Sequence, residues 1–282
     1  MRLIKSVYRV LRDGCILLIK ILLYFIPKDN TLVLLSAWFG EKYSDNTRYM
    51  YEYLLNTKEF TAVWYTRNKH VLKQLQDKSM PVVYAKSIKG IWLLIRAKFL
   101  LSTIQLNDFN QFFLCNCIYI DLDHGISFKQ AGYDIDKSNK YIERHENLVK
   151  LMTKYYVTAS SYINSQMVKH SYHVDQRQII FCGKPRDDIF FDESLKKGNE
   201  FVEKIKNGRK AILYMPTHRN CGRTKIDCEN ILDLITIDHL CEQNGWVFII
   251  KKHFYHRNEK TNLDKYQNIY DITDIGWFTL RF

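Results

Sequence analysis

Short apolar runs recur along the chain, separated by amphipathic stretches of helical period. Thr31–Ser36, Phe60–Tyr65, Pro81–Tyr84, Phe99–Thr103, Cys117–Ile120, Tyr155–Ala159 and Gln178–Cys182 have the length and the β-branched or aromatic content of buried strands. Helical patterns lie between them at Thr47–Leu55, Val71–Gln76, Ile88–Arg96 and Asn139–Leu151, and another follows Ser160 or Ser161, either of which can cap it. Strands alternating with helices predict βαβ units and a parallel sheet, an α/β fold. A second set begins at Lys210–Met215, with a helix over Asp227–Gln243 and strands at Trp246–Ile250 and Asn268–Ile272. Ser194–Gly208 is polar and highly charged, and reads as the linker. The division is therefore 1–30, 31–195 and 209–282, the last two Rossmann-like.

Residues 1–30 follow a different rule. Arg2, Lys5, Arg9 and Arg12 precede Cys15–Ile19, then Lys20 interrupts, Ile21–Ile26 resumes and Pro27 ends the run. A membrane span needs ~20 apolar residues, more than either piece supplies. A signal peptide would need a small-residue cleavage site, and none follows. The pattern fits a basic amphipathic helix lying peripherally on the cytoplasmic face of the cell membrane, with Tyr24 near headgroup level. The alternative is a helix packed on the body of the protein.

Charge adds to this picture. The chain of 282 residues carries a formal charge of +12, which draws polyanions: nucleic acid, anionic lipid or phosphate-bearing substrates. No zinc-knuckle, RNA-recognition or helix-turn-helix signature is present, so nucleic acid is not an expected partner. Seven cysteines form no CxxC pair, which argues against a zinc ribbon or a thioredoxin-type site and for free thiols.

Candidate chemistry gathers where the strands end, which is where parallel sheets bind ligands. The strand Cys117–Ile120 runs into Asp123-His124-Gly125. Imidazole titrates near neutral pH and can take a proton, and glycine lets the backbone approach a ligand closely. A structural histidine at a strand end is the competing reading. Gly183-Lys184-Pro185-Arg186-Asp187-Asp188 follows another strand, where Arg186 either binds phosphate or pairs with Asp187 or Asp188. Pro216-Thr217-His218-Arg219 and Lys251-Lys252-His253 end two strands of the second set. In the loop after the first strand, Asp45 or Asn46 is placed to cap the next helix.

Taken in order, these loops resemble the CDP-glycerol glycerophosphotransferase family of teichoic-acid polymerase-like enzymes. Tyr43-Ser44-Asp45-Asn46 is similar to its "YxDN" segment, and Asp123–Lys129 to its "WHGTPLK" block, with Asp for Trp and Ser-Phe for Pro-Leu. Gly183–Asp188 is similar to "GYPRND", Leu213–Arg219 to "LYAPTWR", and Lys251–His253 to a "(K/R)xH" strand end.

The resemblance implies a GT-B-like architecture of two Rossmann-type domains facing across a cleft, the first on the acceptor side and the second on the donor side. It implies transfer of glycerol phosphate or a related polyol phosphate from CDP-glycerol or another CDP-polyol, with release of CMP. The acceptor would be the hydroxyl of a lipid-linked or polysaccharide polymer, teichoic-acid-like or capsular, at an anionic membrane surface. By the same resemblance, His124 is the general base, and His253 and Arg219 stand at the donor phosphate. Gly125, Arg186, Thr217 and Asn46 bind substrate, and no metal or cofactor is expected. Relatives carry a "TDYSS" block where this chain runs Asp271–Phe282 and stops, so the second domain reads as incomplete and the chain as a truncated member. The alternatives are an inactive remnant that binds only membrane or acceptor, and a nucleotide-sugar enzyme on the same fold.

Overall fold

Leu32, Val33, Leu34 and Leu35 are all buried, the mark of a parallel strand covered on both faces. They belong to β1 (Asp29–Leu35), which pairs in parallel with strands on either side. The structure, a computed structural model, describes residues 14, 17–125, 140–191, 200–217, 224–253, 256 and 261–273. Two compact units make up the chain, Met1–Phe191 and Asp192–Phe282.

In the first unit a helix, α1, covers residues 17–24 and precedes β1. The chain then runs through α2 (Asp45–Thr57), β2 (Thr61–Thr66), α3 (Lys69–Asp77), β3 (Val82–Tyr84), α4 (Ile88–Arg96), β4 (Ala97–Ser102) and β5 (Ile118–Asp121). It continues with α5 (Lys140–Met152), β6 (Lys154–Ala159), α6 (Tyr162–Tyr172) and β7 (Ile179–Phe181). Among the described residues these strands form a seven-stranded parallel sheet in the order β3-β2-β1-β4-β5-β6-β7. The order reverses between β1 and β4, so the crevice at their carboxyl ends is the place where a doubly wound sheet takes ligand.

Local chemistry explains the element boundaries. Asn68 caps α3 by accepting from the amides of His70 and Val71, Ser87 caps α4 through Gly90, and Ser161 caps α6 through Asn164. Gly90 is obligatory: a Cβ there would lie 2.1 Å from the Tyr84 carbonyl oxygen. Tyr43, Tyr51 and Trp64 meet edge to face, with ring centroids 4.8 Å (Tyr43–Trp64) and 5.5 Å (Tyr51–Trp64) apart, and lock α2 onto β2. Cys115 and Cys117 precede β5 and are both buried, and burial pushes both thiols upward, Cys117 to about 12.

The amino-terminal helix departs from the amphipathic pattern in one respect. Lys20 turns inward, fully buried, and its Nζ donates to the carbonyls of Gln111 at 2.8 Å and Leu114 at 2.9 Å. Burial lowers its pKa to about 8. Leu18, Leu22 and Phe25, at i, i+4 and i+7, are exposed by 63%, 70% and 77%. The expected basic residues 2–12 lie outside the described residues.

The second unit contains α7 (Glu200–Lys206), β8 (Lys210–Tyr214), α8 (Cys228–Ile231), α9 (Leu234–Asn244), β9 (Trp246–Ile250) and β10 (Ile269–Asp271). Its strands form a parallel sheet in the order β10-β9-β8. Two sequence readings are corrected here. Residues 194–208 are not a plain polar linker, because α7 forms within them and packs Val202 and Ile205 against Val247 and Ile249. The single helix expected over Asp227–Gln243 is two, because Asp233 caps a fresh start by accepting from the Thr236 amide.

Candidate active site

His124 lies three residues past β5, in the crevice region of the first sheet, with its side chain 46% exposed. Its Nδ1 sits 3.1 Å from the Thr103 carbonyl and 3.3 Å from Asp123 Oδ1. Both neighbours are acceptors, which places a proton on Nδ1 and leaves Nε2 as the nitrogen that can offer a lone pair. The Trp38 indole lies against the ring, with centroids 5.5 Å apart.

The loop holding this histidine is pinned from three elements. The Leu122 carbonyl accepts from Thr158 Oγ1 at 2.9 Å, Lys184 Nζ at 2.9 Å and Asn46 Nδ2 at 3.4 Å. Asn46 Nδ2 also donates to the Asp123 carbonyl at 2.6 Å, and its Oδ1 accepts from the Arg186 amide at 3.2 Å. Asn46 therefore does not cap α2. Its buried carboxamide is committed to the two loops that carry His124 and Arg186.

Arg186 takes a partner the sequence did not suggest. Its Nη1 lies 2.9 Å from Asp45 Oδ1, whereas Nε is 3.8 Å from Asp187. The other Asp45 oxygen accepts from Trp38 Nε1 at 3.0 Å. Gly125, at φ +147°, leaves room for this guanidinium: a Cβ would stand 3.1 Å from Arg186 Nη2. Beneath these groups Asp108 is fully buried and accepts from the amides of Phe39, Thr103 and Ile104 and from Thr103 Oγ1, stapling the loops after β1 and β4 together. Burial raises its pKa, against the lowering effect of these hydrogen bonds.

Asp121 sits under the histidine loop, buried, accepting from the Asp123 amide at 2.9 Å and Tyr155 Oη at 3.3 Å. Burial, followed by the neighbouring Asp123 charge, pushes its pKa up to about 8. Backbone strain collects in the same place. Trp38, Phe39, Asp45 and Asp123 all have positive φ, between 51° and 66°, a conformation that non-glycine residues adopt at a cost of ~1–3 kcal/mol when the surroundings enforce it.

The second unit gathers its own polar groups at the carboxyl ends of its strands. Thr217 follows β8 and is exposed, and His253 follows β9 and is half-buried. Lys251 and Lys252 are buried rather than a solvated basic run. The Lys251 amide donates to the Tyr214 carbonyl, the Lys252 amide to Thr273 Oγ1, and Lys252 Nζ lies 3.4 Å from Asp271 Oδ2. Arg219 lies outside the described residues. Among the described residues no three His, Cys, Asp or Glu side chains group as ligands for a metal ion.

Sequence reasoning thus marked His124, Gly125, Arg186 and Asn46, which the fold brings together. It missed Trp38, Asp45, Thr103, Asp108, Asp123 and Lys184 as partners. Asp45, Asp123 and Lys184 lay inside quoted motifs, and their signal was the motif itself. Asp108 carries no signal in sequence.

Residues 18–276 match the family described as CDP-glycerol:poly(glycerophosphate) glycerophosphotransferase. The teichoic acid poly(glycerol phosphate) polymerase of Bacillus spizizenii is 26% identical over 270 residues, covering 88% of this chain and 66% of its own length. The teichoic acid glycerol-phosphate transferase of Staphylococcus aureus is 25% identical over 213 residues, covering 71% of this chain and 53% of its own. The chain thus spans between about half and two thirds of the length of these curated relatives. A solved structure of the wall teichoic acid polymerase TagF shares the GT-B-like α/β fold, with a TM-score of 0.65 and 19% identity over 90% of this chain and 64% of that one. With the family match running through nearly the whole length, the chain belongs to the CDP-glycerol:poly(glycerophosphate) glycerophosphotransferases.

Proposed function

We propose that this protein transfers glycerol phosphate, or a related polyol phosphate, from a CDP-activated donor to a hydroxyl acceptor in the synthesis of a teichoic-acid-like or capsular polymer. The observation that carries this reading is His124, whose Nδ1 is held by the Thr103 carbonyl at 3.1 Å at the carboxyl end of a parallel strand. Such a ring offers Nε2 as a general base. The acceptor hydroxyl loses its proton to Nε2 as its oxygen attacks the glycerol-bearing phosphorus. A new P–O bond forms, the P–O bond to the CMP phosphate breaks in line, and CMP leaves with the electron pair.

Charge developing on the phosphoryl oxygens calls for fixed positive groups and donors. Arg186, oriented by Asp45 and standing beside Gly125, suits the acceptor side. His253, Thr217 and Arg219 are the donor-side residues in this reading. Asn46 acts as a positioning residue, since its carboxamide is spent on the Asp123 carbonyl and the Arg186 amide.

The acceptor is taken to be lipid-linked or polysaccharide, met at the cytoplasmic face of the cell membrane. The exposed stripe Leu18-Leu22-Phe25 supports peripheral attachment, because burying each such side chain is worth ~1.5–3 kcal/mol. Among the described residues no helix is long and apolar enough to cross a membrane.

CMP release from CDP-glycerol, followed with a polymer acceptor, tests the assignment. Turnover that disappears in His124→Ala and survives substitution of an exposed histidine such as His239 is the expected result. Binding of CDP-glycerol with no CMP released under any acceptor would sink the catalytic reading.

A further inference from the structure

A groove opens at the amino ends of β4, β5 and β6, at the opposite end of the sheet from His124. It encloses about 240 Å³ and is lined chiefly by Tyr24, Lys98, Asn116, Leu151, Met152 and Lys154. Its walls are tied together. Asn116 Nδ2 donates to the Tyr24 carbonyl at 2.9 Å, the Asn116 amide to Met152 O at 2.7 Å, and the Lys154 amide to Cys117 O at 2.8 Å. Lys98 and Lys154 stand near the starts of β4 and β6, the two strands that flank β5, as the register Phe99–Ile118–Lys154 requires. Among the described residues no carboxylate lines the groove.

The rim is apolar and turned to solvent. Leu151, 81% exposed, lines the groove, and Phe25 meets the lining Tyr24 edge to face with ring centroids 5.9 Å apart, on the same helix as the exposed Leu22. The roll of α1 is fixed by Lys20, which lies two residues from both Leu18 and Leu22, roughly 200° round the helix axis from each. With Lys20 bonded inward to Gln111 and Leu114, the Leu18-Leu22-Phe25 stripe must face out.

We propose that this groove holds the phosphodiester headgroup of an anionic phospholipid, with Lys98 and Lys154 as its cationic contacts. Leu22, Phe25 and Leu151 then enter the acyl boundary around it. The proposal rests on the membrane-surface reading above and goes beyond it by naming the headgroup site. Cationic walls within an exposed apolar rim fit a lipid better than a free phosphate, which would leave the rim in water.

Vesicle co-sedimentation of the full chain tests this, using phosphatidylcholine vesicles with and without phosphatidylglycerol. The wild type is expected to prefer phosphatidylglycerol, and Lys98→Gln/Lys154→Gln to lose that preference by tenfold or more while binding neutral vesicles unchanged. Lys73→Gln/Lys78→Gln removes the same charge from an exposed helix elsewhere and should keep the preference. Lys154→Gln alone, at an exposed side chain, gives a partial loss should the double variant fold poorly. Leu22→Ser/Phe25→Ser should lose both vesicle types. Equal loss in the two double lysine variants, no loss in either, or competition by soluble glycerol phosphate overturns the headgroup site while leaving membrane attachment standing. A wild type that sediments with neither vesicle overturns both.

Discussion

The Asn46 side chain donates to the Asp123 carbonyl at 2.6 Å, across 77 positions of sequence, and accepts from the Arg186 amide on its other face. One buried carboxamide thereby fixes the distance between the histidine loop and the arginine loop. Asn46→Ala leaves a buried carbonyl and a partly buried amide without this partner, the carbonyl at a cost of ~1–3 kcal/mol and the amide at less. The expected outcome is a loss of roughly 2–3 kcal/mol in denaturant stability, together with at least a tenfold fall in kcat. A variant that lost stability but kept full turnover would show that Asn46 serves the fold alone.

Asp121 makes stability depend on pH in a defined direction. Its pKa stands at about 8 in the folded chain, from burial first and the Asp123 charge second, against ~3.9 for an unfolded aspartate. Between those values the folded state binds more protons than the unfolded, so stability is greatest below pH ~4 and falls as pH rises through 8. Asp121→Asn mimics the protonated form and removes this dependence. Its Tm should exceed that of the wild type at pH 8 and approach it at pH 5. Parallel Tm curves for the two proteins across that range would contradict the assignment.

Much of this framework was legible because parallel strands buried on both faces write themselves as continuous apolar runs, as Leu32–Leu35 does. The strand ends were legible for the same reason: polar residues such as His124 and Arg186 stand out where the runs stop. Side-chain partnership across the sheet was not. Arg186 has carboxylates at the next two positions, yet its close partner is Asp45, 141 positions away, because the loops after β7 and β1 converge at the same end of the sheet. Lys20 misled for a related reason. A lysine in an apolar helix reads as solvent-facing, and the carbonyls of Gln111 and Leu114, which accept from its Nζ, explain its burial.

Gly125 is required for two separable reasons. At φ +147° its backbone lies where a side chain is strained, and an added Cβ would meet Arg186 Nη2 at 3.1 Å. Gly125→Ala should cost ~1–3 kcal/mol. In a double-mutant cycle with Arg186→Ala, the guanidinium contact is relieved and the backbone strain stays, so the coupling should be a minor part of the total. Denaturant titration of the four proteins reads both parts. A cycle in which Arg186→Ala restored full stability would assign the whole effect to crowding.

Lys252 and Asp271 form the corresponding anchor in the second unit. Lys252 Nζ lies 3.4 Å from Asp271 Oδ2, both groups shielded from solvent, and Asp271 also accepts from the Thr273 amide and Thr261 Oγ1, each at 2.9 Å. The pair joins the ends of β9 and β10 immediately before His253. Removing the cation alone in Lys252→Met leaves a largely buried carboxylate held by the neutral Thr273 amide and Thr261 hydroxyl, and such broken pairs cost ~3–5 kcal/mol. Because the chain has two units, a single global transition is a poor measure of this loss, and hydrogen exchange of the β9 and β10 amides is the direct one. Faster exchange there, with the β1 and β4 amides unchanged, is the expected pattern, and Lys252→Met/Asp271→Leu should recover much of the protection. If the double variant exchanges as fast as Lys252→Met, the lysine contributes through packing of its stem rather than through the ion pair, and the geometry at His253 depends on that packing instead.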